Sequence, residues 1–294
     1  MRRSLVGAAL ALATVLTPGA AHAVADRPSQ PAVAALPQYS ISGAYVAGIS
    51  SGGYMATQLH VAYSGTFDGA AVFAGGPYHC AQQNLNQALY ACMRDWMDNQ
   101  LPTLEQTART WSDQGLIDPV GNLADDPVYV FHGTNDSTVA ASVTADLATW
   151  YRDFGASVSH QSTTPAGHAW ISPKGPNPCA SSYTPYLNDC GIDPEGAFLS
   201  HLTGSVNPPA AAPSGELRQF DQNPYAVGGS AAALSMGGAG FLYTPDSCAA
   251  GASCRLVIAL HGCQQGHGTV GTSFVQNTYL NEYADTNQLV VLYP

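Results

Sequence analysis

"GISSGGYMA", residues Gly48–Ala56, decides how this chain folds. Within it, Gly48-Ile49-Ser50-Ser51-Gly52 matches G-x-S-x-G, the sharp turn that lifts a nucleophilic serine between a strand and a helix. The glycines permit the strained backbone and let the helix pack on the strand without side-chain clash. The flanks agree. "SGAYVAGIS" before the turn reads as a short buried strand, and "SGGYMATQLHVAYS" after it reads as a helix with Met55, Leu59 and Ala62 near one face. A Gly/Ser turn without chemistry is the bland alternative, and these flanks argue against it.

A serine nucleophile needs a base to take its proton, and the base needs an acid to orient it. Behind such an elbow the order is Ser, Asp, His, on later strand ends. Asp136 closes "DPVYVFHGTND", Asp126–Asp136, just past a strand. His168 follows in "PAGHAW", one helix and one strand later. The other histidines fit less well. His132 and His261 end strands in His-Gly pairs, His60 and His201 fall within helices, and His79, His160 and His267 lack a matching context.

The tetrahedral intermediate carries an oxyanion, which needs two preorganised N–H donors. One is expected from Ser51, the residue after the nucleophile. The other is expected from the loop ending "CAAGASCRLVIALHGC", Cys248–Cys263, with Cys263 as donor. That loop normally precedes the serine in the chain; here it follows. The sequence therefore reads as a circular permutation, with a linker around Pro208–Pro213 and new ends between the strands "QLVVLYP" and "GAYVAGIS".

The remaining chain alternates apolar strands with helices, which predicts α/β architecture: a mostly parallel sheet with helices on both faces. "GAAVFAGG" (69–76), Val158–Ser162, Leu217–Phe220, Gly240–Thr244 and Leu256–Leu260 read as strands. Gln83–Trp111 reads as a polar helical stretch, "VTADLATWYRDFG" as an amphipathic helix ended by Gly155, and Phe274–Thr286 as a helix before the last strand. Asp193 and Pro194 start another helix that runs to about Leu202. Residues 173–188 read as a loop.

The chain has 294 residues, and only 10% of them are charged, against about a quarter in ordinary domains. Such a surface suits adsorption to something uncharged and apolar, or reflects secretory composition in general. Arg2 and Arg3, the apolar run Leu5–Leu16 and Ala21-His22-Ala23 make residues 1–23 a secretory signal peptide, so the protein is expected outside the cell. Without it, 7 basic residues face 20 acidic ones, a net −13, which argues against nucleic-acid and anionic-membrane partners. Seven cysteines in an exported chain suggest disulfides, and spacing offers Cys80–Cys92, Cys179–Cys190 and Cys248–Cys254, leaving Cys263 free. No metal-type spacing occurs, and no cofactor or metal is expected.

"GISSGGYMATQLHVAYS", "GAAVFAGGPYHCA", "VYVFHGTNDSTV" and "LVIALHGCQQG" together resemble the extracellular poly(3-hydroxybutyrate) depolymerases of the circularly permuted, single-domain α/β-hydrolase type. The resemblance runs from about Ser40 to Pro294. It implies a secreted serine esterase that cleaves short-chain polyhydroxyalkanoate through an acyl-enzyme, with a hydrophobic polyester as substrate and the enzyme as a monomer. Ser50 would be nucleophile, Asp136 the orienting acid, His168 the base, and Ser51 and Cys263 the oxyanion hole. The family continues past the "VVLYP" strand into a Trp-rich segment and a further helix. By that measure residues 24–294 form a catalytic domain incomplete at its C-terminus. A feruloyl or acetyl esterase acting on plant polysaccharide would share the triad, and the early stop raises an inactive polymer-binding relic as a third reading.

Overall fold

Alternation of burial along the first strand fixes the layers. In the computed structural model, which describes residues 36–294, β1 (Ile41–Ile49) sends Tyr45, Ala47 and Ile49 to one apolar core and Val46 to another on the opposite face. That is the period-2 geometry of a strand buried on both sides. The expected signal peptide lies outside the described residues.

After β1 come α1 (Ser51–Ala62), β2 (Ala70–Phe73), α2 (Leu101–Asp113), β3 (Pro127–Phe131), α3 (Ala141–Asp153) and β4 (Ser157–Gln161). Then follow β5 (Trp170–Ile171), β6 (Asn177–Pro178), β7 (Leu187–Asp189), α4 (Pro194–Thr203), β8 (Glu216–Asp221) and β9 (Ala239–Thr244). The described chain closes with α5 (Asp246–Ala249), β10 (Cys254–Leu260), α6 (His267–Val270), α7 (Ser273–Asn277), α8 (Leu280–Asn287) and β11 (Leu289–Tyr293).

Eight strands form one sheet in the order β4-β3-β2-β1-β10-β11-β9-β8. All neighbours pair in parallel except β9, which runs against both β11 and β8. Helices cover both faces, as expected. Leu104 of α2 and Leu147 of α3 share a core with Val128 and Val130 of β3; on the other side Phe198 of α4 packs on Tyr129 of β3, and α8 packs on β11. β1 is central, between β2 and β10, so the elbow and the "HGC" loop emerge side by side at the strands' C-terminal ends, where open α/β sheets bind ligands.

Three expectations need correction. The helical stretch 83–111 is not continuous: it holds one short π-helical turn, Gln87–Ala91, and a regular α-helix only from Leu101. Before it, His79, Gln82, Gln83, Asp95 and Gln100 adopt φ between 47° and 57°, which no right-handed helix allows, and Cys80–Cys92 closes the segment into a loop. The helix 274–286 is two, α7 and α8, separated at Tyr279, whose φ is 62°. The loop 173–188 contributes β6 and part of β7, which join β5 in a small second sheet of order β5-β7-β6. All three disulfides pair as the spacing suggested, and Cys263 is free.

Candidate active site

Ser50 sits at the turn between β1 and α1 with φ 55° and ψ −123°, a conformation an L-residue holds only under constraint. The constraint comes from backbone. The Ser50 N–H donates to the Phe73 carbonyl (2.9 Å), and the Ser50 carbonyl accepts from the Tyr54 N–H (2.8 Å). Glycine is required on both sides of it. A Cβ on Gly48 would lie 2.2 Å from the Gly52 carbonyl oxygen, and one on Gly52 would lie 2.3 Å from that of Leu260.

Asp136 and His168 meet as the sequence reading required. His168 Nδ1 donates to Asp136 Oδ2 at 2.7 Å, and both side chains are buried. The other carboxylate oxygen, Oδ1, accepts from the N–H groups of Thr138 (2.8 Å) and Val139 (3.0 Å), which fixes the carboxylate plane. With its proton held at Nδ1, the imidazole has Nε2 free to accept. Backbone bonds hold the two loops together: Thr134 N–H to Thr164 O (2.8 Å) and Asn135 N–H to Ala166 O (3.0 Å). The His168 loop is held in turn by Gly167 N–H to Cys179 O (2.9 Å), next to the Cys179–Cys190 disulfide, and by His168 N–H to Ser182 Oγ (2.8 Å). Among the described residues no hydrogen bond joins Ser50 Oγ to His168. Such contacts are often long without substrate and tighten when it binds.

Ser51 opens α1, so its N–H has no intrahelical acceptor. Cys263, with an exposed thiol, lies across the same pocket as Ser50 and Ser51. The loop carrying Cys263 is clamped by a residue the sequence reading missed. Buried Gln265 accepts the Gly262 N–H at its Oε1 (2.7 Å), while its Nε2 donates to the carbonyls of Pro185 (3.0 Å) and Tyr186 (2.8 Å). A polar glutamine after "HGC" carries no sequence signal for this role, because two of its three partners, Pro185 and Tyr186, lie about 80 residues upstream.

A pocket of about 400 Å³ opens beside Ser50, lined also by Ser51, Tyr54, Met55, Val139 and Cys263 and walled by the 79–93 segment. Tyr54 ties α1 to that wall by donating its hydroxyl to the Cys92 carbonyl. Burial, reinforced by the Asp136 carboxylate, pushes the Tyr54 phenol up, so it stays a neutral donor. Burial pushes His79 down, which favours a neutral imidazole at the far wall. Two further histidines are accounted for by packing. Buried His60 lies between Tyr151 Oη (3.0 Å) and Asp126 Oδ2 (3.2 Å), and His132 Nε2 donates to the Val139 carbonyl (3.0 Å).

Comparison with known proteins points the same way. A model of the prolyl oligopeptidase family matches residues 31–181. A poly(3-hydroxybutyrate) depolymerase of Delftia acidovorans is 40% identical over 301 residues, covering 100% of this chain and 58% of that protein, so the chain spans little more than half that relative's length. A polyhydroxybutyrate depolymerase of Talaromyces funiculosus is 39% identical over 276 residues, covering 90% of this chain and 78% of that one. The crystal structure of PHB depolymerase from Penicillium funiculosum superposes with a TM-score of 0.80 at 36% identity, over 89% of this chain and 82% of that one. A serine-to-alanine variant of a PHB depolymerase, solved with an R3HB trimer, matches equally. Sheet order, elbow and relatives agree, and the chain belongs to the polyhydroxybutyrate depolymerases, within the wider prolyl oligopeptidase family.

Proposed function

We propose that the chain is a secreted serine esterase that hydrolyses poly(3-hydroxybutyrate) and related short-chain polyesters through an acyl-enzyme on Ser50. The observation that carries this is the 2.7 Å Asp136–His168 bond beside a strained elbow serine at the mouth of an apolar pocket.

The reaction follows from the groups present. His168 Nε2 takes the Ser50 hydroxyl proton as Oγ attacks the ester carbonyl. The resulting oxyanion is held by the N–H groups of Ser51 and Cys263. The protonated imidazole, stabilised by Asp136, passes its proton to the departing alkoxide, and an alcohol-ended chain leaves. Water, activated by the same Nε2, then cleaves the acyl-serine and releases a carboxylic acid.

The substrate class rests on the pocket, the relatives and the surface. Leu85 and Tyr90 are exposed on the segment that walls the pocket, and Trp96 and Met97 are exposed just beyond it, which suits an enzyme working at an apolar solid. A related chain holds an R3HB trimer, and a pocket of about 400 Å³ suits ester units of that size. Export is supported by three disulfides. Among the described residues no helix is long and apolar enough to cross a membrane.

The chain order is proposed to be a circular permutation. Support comes from β10 and β11, late in sequence yet lying between β1 and β9 in the sheet. Clearing of a polyhydroxybutyrate suspension, run beside hydrolysis of methyl ferulate and p-nitrophenyl butyrate, tests the function. Clearing by wild type and not by Ser50→Ala is the expected result. Turnover of ferulate without clearing favours the plant-polysaccharide esterase, and adsorption without turnover of any ester favours a polymer-binding relic.

A further inference from the structure

Glu195 is a carboxylic acid with no exposure at all, on the second residue of α4. Burial, reinforced by the nearby Asp193 and Glu282 carboxylates, holds its carboxyl well above the ordinary range. A buried ionisable group is costly, and the reaction described above makes no direct use of it. Among the described residues its side-chain bond is to Trp170: the indole Nε1–H donates to Glu195 Oε1 at 2.6 Å, while Oε2 has no partner there. The need of an indole for an acceptor does not explain the carboxyl, because Trp150, equally buried, has no acceptor for its Nε1–H among the described residues. Lys174 does not neutralise Glu195 either; it pairs with Glu282 at 2.5 Å.

What distinguishes Trp170 from Trp150 is its place. It follows His168 by two residues. Its ring stacks on Phe73 at 4.7 Å, and the Phe73 carbonyl is the group that accepts the Ser50 N–H. Its edge packs against Phe274 (5.7 Å), which in turn meets His261 of the oxyanion loop (6.1 Å). Its backbone N–H donates to the Tyr186 carbonyl (2.9 Å), which also receives Gln265 Nε2. Trp170 thus joins the elbow, the His168 loop and the oxyanion loop, and Glu195 sets the rotation of its ring.

We propose that Glu195 is a positioning residue for Ser50 and His168, acting through the Trp170 indole; the inference rests on the esterase reading above. A neutral carboxyl suffices for the task, since Oε1 need only accept.

The test is a set of variants assayed with p-nitrophenyl butyrate. Glu195→Leu fills the same space without an acceptor. It should lower kcat by about 10- to 100-fold with KM unchanged, the scale of loss for a small misplacement of reacting groups. Its melting temperature should match or exceed wild type, because a buried ionisable group gives way to an apolar one. Glu195→Gln, which keeps the acceptor, should restore kcat. Trp170→Phe should lose as much as Glu195→Leu, and the double variant no more, because the two act as one unit. Wild-type kcat in folded Glu195→Leu, or losses that multiply in the double variant, would overturn the proposal. If wild type turns over no ester, the esterase reading falls by itself. Positioning is then read from the low-field proton resonance of His168 Nδ1–H, which should move in Glu195→Leu and in Trp170→Phe; an unmoved resonance in both overturns it.

Discussion

Gly52 and Leu260 lie more than two hundred residues apart in sequence, yet a Cβ placed on Gly52 would sit 2.3 Å from the Leu260 carbonyl oxygen. The serine turn and the strand that ends in "HGC" are in backbone contact, with no room for a methyl group between them. The "HGC" loop, proposed to bind the oxyanion, can therefore follow the serine turn in the chain and still lie beside it. Strand pairing depends on spatial neighbours, here β1 against β10 in parallel register from Ile41 opposite Cys254 to Gly48 opposite Leu260.

Gly52→Ala should therefore separate the elbow from β10. The contact is with backbone, which cannot swing aside as a side chain can, so the expected loss is about 2–3 kcal/mol of stability, with activity lost alongside. Thermal unfolding of the variant checks it; a melting temperature equal to wild type would mean that the two segments are not held together.

Asp136→Asn should keep the packing but favour the wrong imidazole tautomer, with turnover falling about 10³- to 10⁴-fold. The backbone bonds from Thr138 and Val139 can remain on Oδ1, so circular dichroism should match wild type. A mild effect here with a severe one at Asp126 would move the orienting acid elsewhere, although Asp126 faces His60.

Gln265→Leu removes three hydrogen bonds that pin the loop carrying Cys263. It leaves the Gly262 N–H and the Pro185 carbonyl without partners, while the Tyr186 carbonyl keeps the Trp170 backbone N–H, so some loss of stability is expected as well. If the loop is set by Gln265, kcat for p-nitrophenyl butyrate should fall by about 10- to 100-fold, more than KM changes. Unchanged kcat would assign the loop's geometry to other contacts.

Much of this site was legible in the sequence because it is written locally. A strained serine turn needs glycines at fixed offsets, and a histidine with its acid needs only to end the right strands. Cys80–Cys92, Cys179–Cys190 and Cys248–Cys254 are separated by 12, 11 and 6 residues, so nearest-neighbour pairing was the correct guess. What was not legible depends on distant partners. Gln83–Trp111 has helical composition, but the Cys80–Cys92 link and the left-handed residues around it make a pocket wall there. Gln265 and Glu195 read as ordinary polar residues of a loop and a helix start. Their roles come from Tyr186 and Trp170, which are brought to them only by the fold.

Glu195 also gives a pH signature in stability. Its carboxyl titrates well above the ordinary 4.5 in the folded protein, so above that pH the unfolded chain releases a proton that the folded chain keeps. The folded state then binds more protons, and stability contributed by this group falls as pH rises. Glu195→Gln lacks that loss. Its melting temperature should equal wild type near about pH 4 and exceed it increasingly toward about pH 8. A difference that stays flat across the range would mean that Glu195 ionises normally.

The central claim is that Ser50 carries the acyl group. It is tested most directly by acid-quenching the protein during turnover of a 3-hydroxybutyrate oligomer and mapping the adduct by mass spectrometry. The account predicts a 3-hydroxybutyryl group on the Ser50 side chain, absent in Ser50→Ala, with turnover of that variant reduced about 10⁴-fold or more. An adduct on Ser51 instead, or steady turnover by Ser50→Ala, would contradict it.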